Sequence, residues 1–327
     1  MARIRHVSSV ILCLIVIFLS LGVNTPTSAS ASPIGVAVLV FHQITPGASN
    51  SVTMSPDNFA ATLQMLKQKG YNFIDLKTLH SYLAGSTQLA NKSLLITFDD
   101  GYQDVYKYAH PLLVKQQIPA VMFPIAMYYQ ESYPLPPHYT PHLSRDELKI
   151  MQESGWWGFG GHSFDGHRPI LTVPGQTGPF YTSYAWMGRR QETQLEYTNR
   201  VDADIAIMCQ TLNTLGLTAL DFAPPSCAIN STLQAVLAKN GVRYIYVQGN
   251  RLNYPGSNTI YRLTATNPDQ VLKDLDNLFA TPGTVVPAPI EVIESNNNLP
   301  TQTDLKSFSS SVKQAIYNKQ SFLRRSK

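Results

Sequence analysis

The chain has 327 residues, 44% of them apolar and 14% charged, a globular composition with enough apolar mass for one large α/β domain or two smaller ones. Its 25 Lys and Arg residues against 21 Asp and Glu give a formal charge of +4, and no basic run is longer than the pairs Arg189-Arg190 and Arg324-Arg325, so the sequence carries no nucleic-acid footprint. Three cysteines, Cys13, Cys209 and Cys227, are too few for a disulfide framework.

In chain order the first element is a targeting segment. Arg3 and Arg5 precede an apolar run over 7–23, and Ala29-Ser30-Ala31 fits a cleavage site, so residues 1–31 are expected to be a cleaved signal peptide, with an uncleaved anchor as the alternative. Cys13 lies inside the apolar run, which argues against a lipoprotein anchor. Loss of Arg3 and Arg5 leaves 23 basic residues against 21 acidic ones and a charge of +2. Cys209 and Cys227 remain, read as two separate thiols, with a bridge as the alternative.

From Ile34 onward strand-like and helix-like segments alternate. GVAVLVFH (35–42) reads as a buried strand, and SPDNFAATLQMLKQKG as a helix capped by Ser55, opened by Pro56 and stopped by Gly70. YNFIDL, SLLITF, AVMFPI, WWGFGG, LDFAPP and VRYIYV read as further strands, separated by helices. Among these helices, SRDELKIMQESG opens on a capping box from Ser144 to Glu147, and a long amphipathic helix spans QETQLEYTNRVDADIAIMCQTLNTLG. Such alternation predicts a parallel sheet with helices outside, and the absence of a Gly-rich phosphate loop favours a distorted (β/α) barrel of about seven parallel strands over a dinucleotide fold. Loops 128–143 and 168–188 are rich in aromatic residues, with Tyr128, Tyr129, Tyr181, Tyr184 and Trp186 expected around a site mouth. The stretch 280–327, rich in Pro, Asn and Ser at its start, is expected to be a peripheral tail.

Chemistry in parallel β/α architectures gathers at the C-terminal ends of strands. Asp99 and Asp100 end SLLITF, and GGHSFDGH puts His162 and His167 at the end of a later strand. One carboxylate with two imidazoles suits a catalytic divalent metal, which would offset the charge of the Asp pair while the other carboxylate takes a proton from a bound water. The residues alone do not order the two aspartates.

TFDDG (97–101) and HSFDGH (162–167) resemble the first two motifs of the polysaccharide deacetylases, metal-dependent carbohydrate esterases with a distorted β/α barrel, and the resemblance covers roughly 36–247. It implies a deacetylase domain over 32–279, with Asp99 as general base and Asp100, His162 and His167 as ligands of a divalent metal, zinc first, cobalt or nickel next. Four residues between the histidines resemble the branch that deacetylates poly-β-1,6-N-acetylglucosamine in biofilms. In that branch the barrel is circularly permuted and a histidine on the first strand protonates the leaving amine; His42 matches that place. The third motif, something like FAYPYGxxN, reads FAPPSCAIN here (222–230), and Ser226 stands where the branch uses a backbone N–H for the oxyanion. The implied protein is a secreted or cell-surface monomer that removes N-acetyl groups from an N-acetylglucosamine polysaccharide. The alternatives are a peptidoglycan or chitin-type deacetylase, a decayed glycan-binding protein, and, outside the family, a non-haem iron oxygenase.

Overall fold

A computed structural model describes residues 34–47, 52–130 and 140–280. The signal peptide expected over 1–31 and the tail beyond 280 lie outside these residues, as does the middle of the loop after Tyr128.

Seven parallel strands form the centre: β1 (Ala37–Phe41), β2 (Ser93–Asp100), β3 (Ala120–Pro124), β4 (Trp157–Phe159), β5 (Asp221–Phe222), β6 (Tyr244–Gln248) and β7 (Thr259–Thr264). Their spatial order is β5-β6-β7-β1-β2-β3-β4. A parallel bridge between Gly161 and Phe222 links the two ends of that order, with Gly161 N–H donating to Asp221 O at 2.8 Å and Ala223 N–H to Gly161 O at 3.0 Å. The result is a nearly closed barrel. At this seam there is no room for a side chain: a Cβ on Gly160 would lie 2.5 Å from Cε1 of the Phe123 ring and 2.7 Å from the Asp221 carbonyl oxygen.

Strands covered on both faces read as unbroken apolar runs, and all eight residues of β2 are buried. Side chains nevertheless alternate with the pleat. Val36, Val38, Leu95, Val121, Phe123, Tyr246 and Ile260 form one cluster, the barrel interior. Ala37, Leu39, Phe41, Leu94, Ile96, Phe98 and Met122 belong to a larger cluster beneath the outer helices. Continued along the chain, the interior parity takes in His42, Asp99 and Arg262.

The helices are α1 (Pro56–Gln68), α2 (Leu76–Leu83), α3 (His110–Gln116), α4 (Arg145–Glu153), α5 (Gln194–Thr214), α6 (Ser231–Lys239) and α7 (Pro268–Ala280). Their starts follow local chemistry: Ser55 Oγ accepts from Asn58 N–H, and Ser144 with Glu147 and Thr193 with Glu196 close two capping boxes. Phe59, Leu63 and Leu66 of α1 are buried, each stabilising the fold by about 1.5–3 kcal/mol relative to exposure. Among the described residues, no helix is long and apolar enough to cross a membrane.

Two elements escape the sequence reading. TIYRLT (β7) lies between β6 and β1 in the barrel, and α7 packs on α1 and β7. In addition, loop 168–188 contains a short antiparallel pair, Ile170–Val173 with Gln176–Gly178.

Candidate active site

β1 and β2 run side by side in register, Phe41 opposite Phe98, and both end at the C-terminal face of the barrel. His42 leaves β1 half-buried, and Asp99 and Asp100 end β2 fully buried. Asp100 has φ +69, an uncommon value for a residue with a side chain, and Gly101 follows at φ +82. This left-handed step ends the strand and lets neighbouring carboxyl groups serve different partners.

Asp99 faces the interior and meets Arg262 of β7, whose Nη1 and Nη2 donate to Oδ1 and Oδ2 at 2.7 and 2.8 Å. Arg262 Nη1 also reaches Thr97 Oγ1 at 3.3 Å, and the guanidinium lies 5.5 Å from the Phe123 ring centroid. The arginine is 1% exposed and the aspartate 3%. Burial pushes the Asp99 pKa up, but the Arg262 charge, joined by His162 and His42, overrides it and holds the carboxyl below its usual value. Half the charge of the Asp pair is therefore offset by a protein cation that the sequence reading did not identify. The only local signal was strand-like alternation in TIYRLT after a turn-rich stretch.

Asp100 turns the other way. His162 Nε2 and His167 Nε2 approach its Oδ1 at 3.1 and 3.0 Å. Among the described residues that oxygen has no partner that meets full hydrogen-bond geometry, and two ring nitrogens and a carboxylate oxygen face a common point. Ligand atoms about 2.0–2.2 Å from a tetrahedral zinc ion would stand roughly 3.4 Å apart, so the three donors fit a small divalent cation. All three lie within 4.8 Å of one another. Burial disfavours the charged form of Asp100, and the two imidazoles outweigh it, leaving its pKa well below the ordinary range. Burial likewise depresses His167, but the Asp100 charge outweighs it and the net shift is upward. Tyr102 borders the same carboxylate, its phenol pushed up by burial and by the Asp100 charge.

The third motif forms a turn over Pro225–Cys227. Cys227 and Ala228 N–H groups donate to the carbonyls of Pro224 and Pro225; among the described residues no acceptor takes the N–H of exposed Ser226. Ser226 and Cys227 both have left-handed backbone, at φ +59 and +53. Cys209 and Cys227 are unpaired thiols. Of the five aromatic residues expected at the mouth, Tyr129 and Tyr181 are buried anchors. Tyr128, stacked on His142, and Tyr184 and Trp186 keep part of their surface.

A parallel barrel with an Asp-His-His donor set at the C-terminal ends of its strands defines a β/α-barrel protein with a possible metal centre. Residues 86–245 match the polysaccharide deacetylase family profile, and the chain carries a polysaccharide deacetylase domain. It is similar to the poly-β-1,6-N-acetyl-D-glucosamine N-deacetylase of Staphylococcus aureus (strain MRSA252), 31% identical over 117 residues, a match spanning 36% of this chain and 39% of that enzyme. The structure of IcaB from Ammonifex degensii is similar with a TM-score of 0.61 and 27% identity, over 75% of this chain and 97% of that one. The de-N-acetylase from Aggregatibacter actinomycetemcomitans shares the fold, with a TM-score of 0.68 at 20% identity over 73% of this chain and 99% of that one.

Proposed function

We propose that this protein is a metal-dependent N-deacetylase acting on a β-linked N-acetylglucosamine polymer, poly-β-1,6-N-acetylglucosamine before β-1,4 chains, after export from the cell. The observation that carries the reading is the convergence of Asp100, His162 and His167 on one point beside a carboxylate already engaged by arginine. The relatives named for poly-β-1,6-N-acetylglucosamine and the four-residue spacing of the histidines support the choice of polymer. Export rests on the leader-like start of the sequence.

The reaction is hydrolysis of an acetamide: water adds to the acetyl carbon, the C–N bond breaks, and acetate and a free amine result. A divalent metal held by Asp100, His162 and His167 supplies Lewis-acid polarisation of the carbonyl and a more acidic water. Asp99 accepts the proton of the attacking water; the two bonds from Arg262 hold its carboxylate ionised and oriented for that step. The free N–H of Ser226 donates to the oxyanion of the tetrahedral stage. His42, at the end of the neighbouring strand, delivers a proton to the departing nitrogen.

Acetate release from defined β-1,6 and β-1,4 N-acetylglucosamine oligomers, with zinc, cobalt or nickel supplied, tests the reading. The expected result is release from the β-1,6 oligomer and loss of roughly a hundredfold or more in Asp99→Asn. Glycan binding with no acetate released under any metal would identify a binding protein and refute the enzyme.

A further inference from the structure

The segment between the two histidines, Ser163-Phe164-Asp165-Gly166, is pinned from two sides. Its carbonyls face the chain that follows β3: Ser163 O accepts from Ala126 N–H at 2.8 Å and Phe164 O from Met127 N–H at 3.2 Å. Its N–H groups face the opposite way, into one carboxylate. Phe164 N–H donates to Asp204 Oδ1 at 2.9 Å, and Asp165 N–H donates to Asp204 Oδ2 at 2.8 Å. Asp204 comes from α5 and is buried, and the Tyr181 hydroxyl donates to its Oδ1. Tyr181 in turn fills the space beside Gly166, where a Cβ would lie 2.5 Å from Tyr181 Cζ.

A buried carboxylate is costly unless it is paired or fully hydrogen-bonded. Among the described residues Asp204 has no ion pair; its donors are two successive amides of this loop and one phenol. We propose that Asp204 is a positioning residue. By taking both amides at once it fixes the turn whose ends carry His162 and His167, and so sets how the two imidazoles meet a metal beside Asp100. A four-residue connection leaves more ways to fold the turn than a shorter one, and two bonds to one rigid acceptor remove that freedom. The proposal rests on the reading of His162 and His167 as metal ligands.

The test uses the full-length chain, stripped with a chelator and titrated with Co2+, read by the d–d absorption of the bound ion. Amide hydrogen exchange at Phe164 and Asp165 is followed in parallel. Asp204→Ala is expected to expose both amides to exchange and to weaken Co2+ binding by about 10–100-fold, the loss typical of groups that orient ligands from behind. Asp204→Asn, of the same shape, keeps one acceptor oxygen for the two amides; it should fall between, and it carries the test if the alanine variant does not fold. Asp202→Ala is the control: Asp202 lies on the same helix but binds Lys239 and Asn240 at 2.8 Å, away from the loop. The proposal is overturned if both Asp204 variants bind Co2+ within about twofold of wild type, or if Asp202→Ala weakens binding as much. Failure of the wild-type chain itself to bind Co2+ would instead refute the ligand reading, and the proposal with it.

Discussion

Replacing Arg262 with methionine removes the cation opposite Asp99 while keeping most of the side chain's volume. Both partners are nearly inaccessible and joined by two bonds of 2.7 and 2.8 Å, so the variant leaves a buried carboxylate without its counter-ion and puts an apolar chain where the guanidinium lay 5.5 and 5.8 Å from the Phe123 and Tyr246 rings. Breaking such a pair costs about 3–5 kcal/mol. For a domain of this size that corresponds to a fall in Tm of roughly 6–20 °C. The pH dependence is more diagnostic than the size. In the wild type the folded pKa of Asp99 is depressed, so the pair contributes stability above the unfolded carboxylate value of about 3.9 and loses it as pH falls through the lower folded value. In Arg262→Met the largest remaining influence is burial, which raises the pKa. The stability difference between the two proteins should therefore be largest near neutral pH and shrink toward pH 4. Urea melts of both proteins between about pH 4 and 8 measure it, at slopes of about 2.303RT per proton. A difference that is constant with pH, or below about 1 kcal/mol at pH 7, would refute the assignment of Arg262 as the charge partner of Asp99.

Addition of zinc to the chelated protein should raise its stability by about 2.7 kcal/mol at a hundred times Kd, and His167→Ala should abolish the gain in a thermal melt. Cys227 holds a left-handed conformation that costs a side-chain-bearing residue about 1–3 kcal/mol. Cys227→Val, β-branched, is expected to melt several degrees below Cys227→Gly, and equal melting points would show that the turn is not strained. Gly160→Ala places a methyl group against Phe123 and the Asp221 carbonyl; calorimetry should show a loss of about 1–3 kcal/mol from forced separation at the barrel seam.

Much of the architecture is legible in local pattern. Buried parallel strands need apolar side chains on both faces, so AVLVF, SLLITF and AVMFP stand out as runs, and the carboxylates and histidines that follow them mark the C-terminal face. The helix starts are equally local, since Ser55, Ser144 and Thr193 act on N–H groups only three residues away. β7 is harder to see because an arginine occupies an interior position where an apolar residue would complete the pattern. The aromatic loops mislead for a related reason: tyrosine serves an anchor and an exposed face equally well, and Tyr129 and Tyr181 are anchors.

Local pattern along the chain suffices for the kind of barrel, the strand ends that carry chemistry, and the presence there of two acids and two imidazoles, because each depends on neighbours in the chain. Which group answers which charge emerges only in the folded chain. Arg262 reaches Asp99 across 163 positions, and Asp204 reaches the histidine loop across about 40. Pairs so far apart leave no periodic trace: barrel closure alone brings β7 beside β1, and the packing of α5 alone brings its carboxylate under the loop.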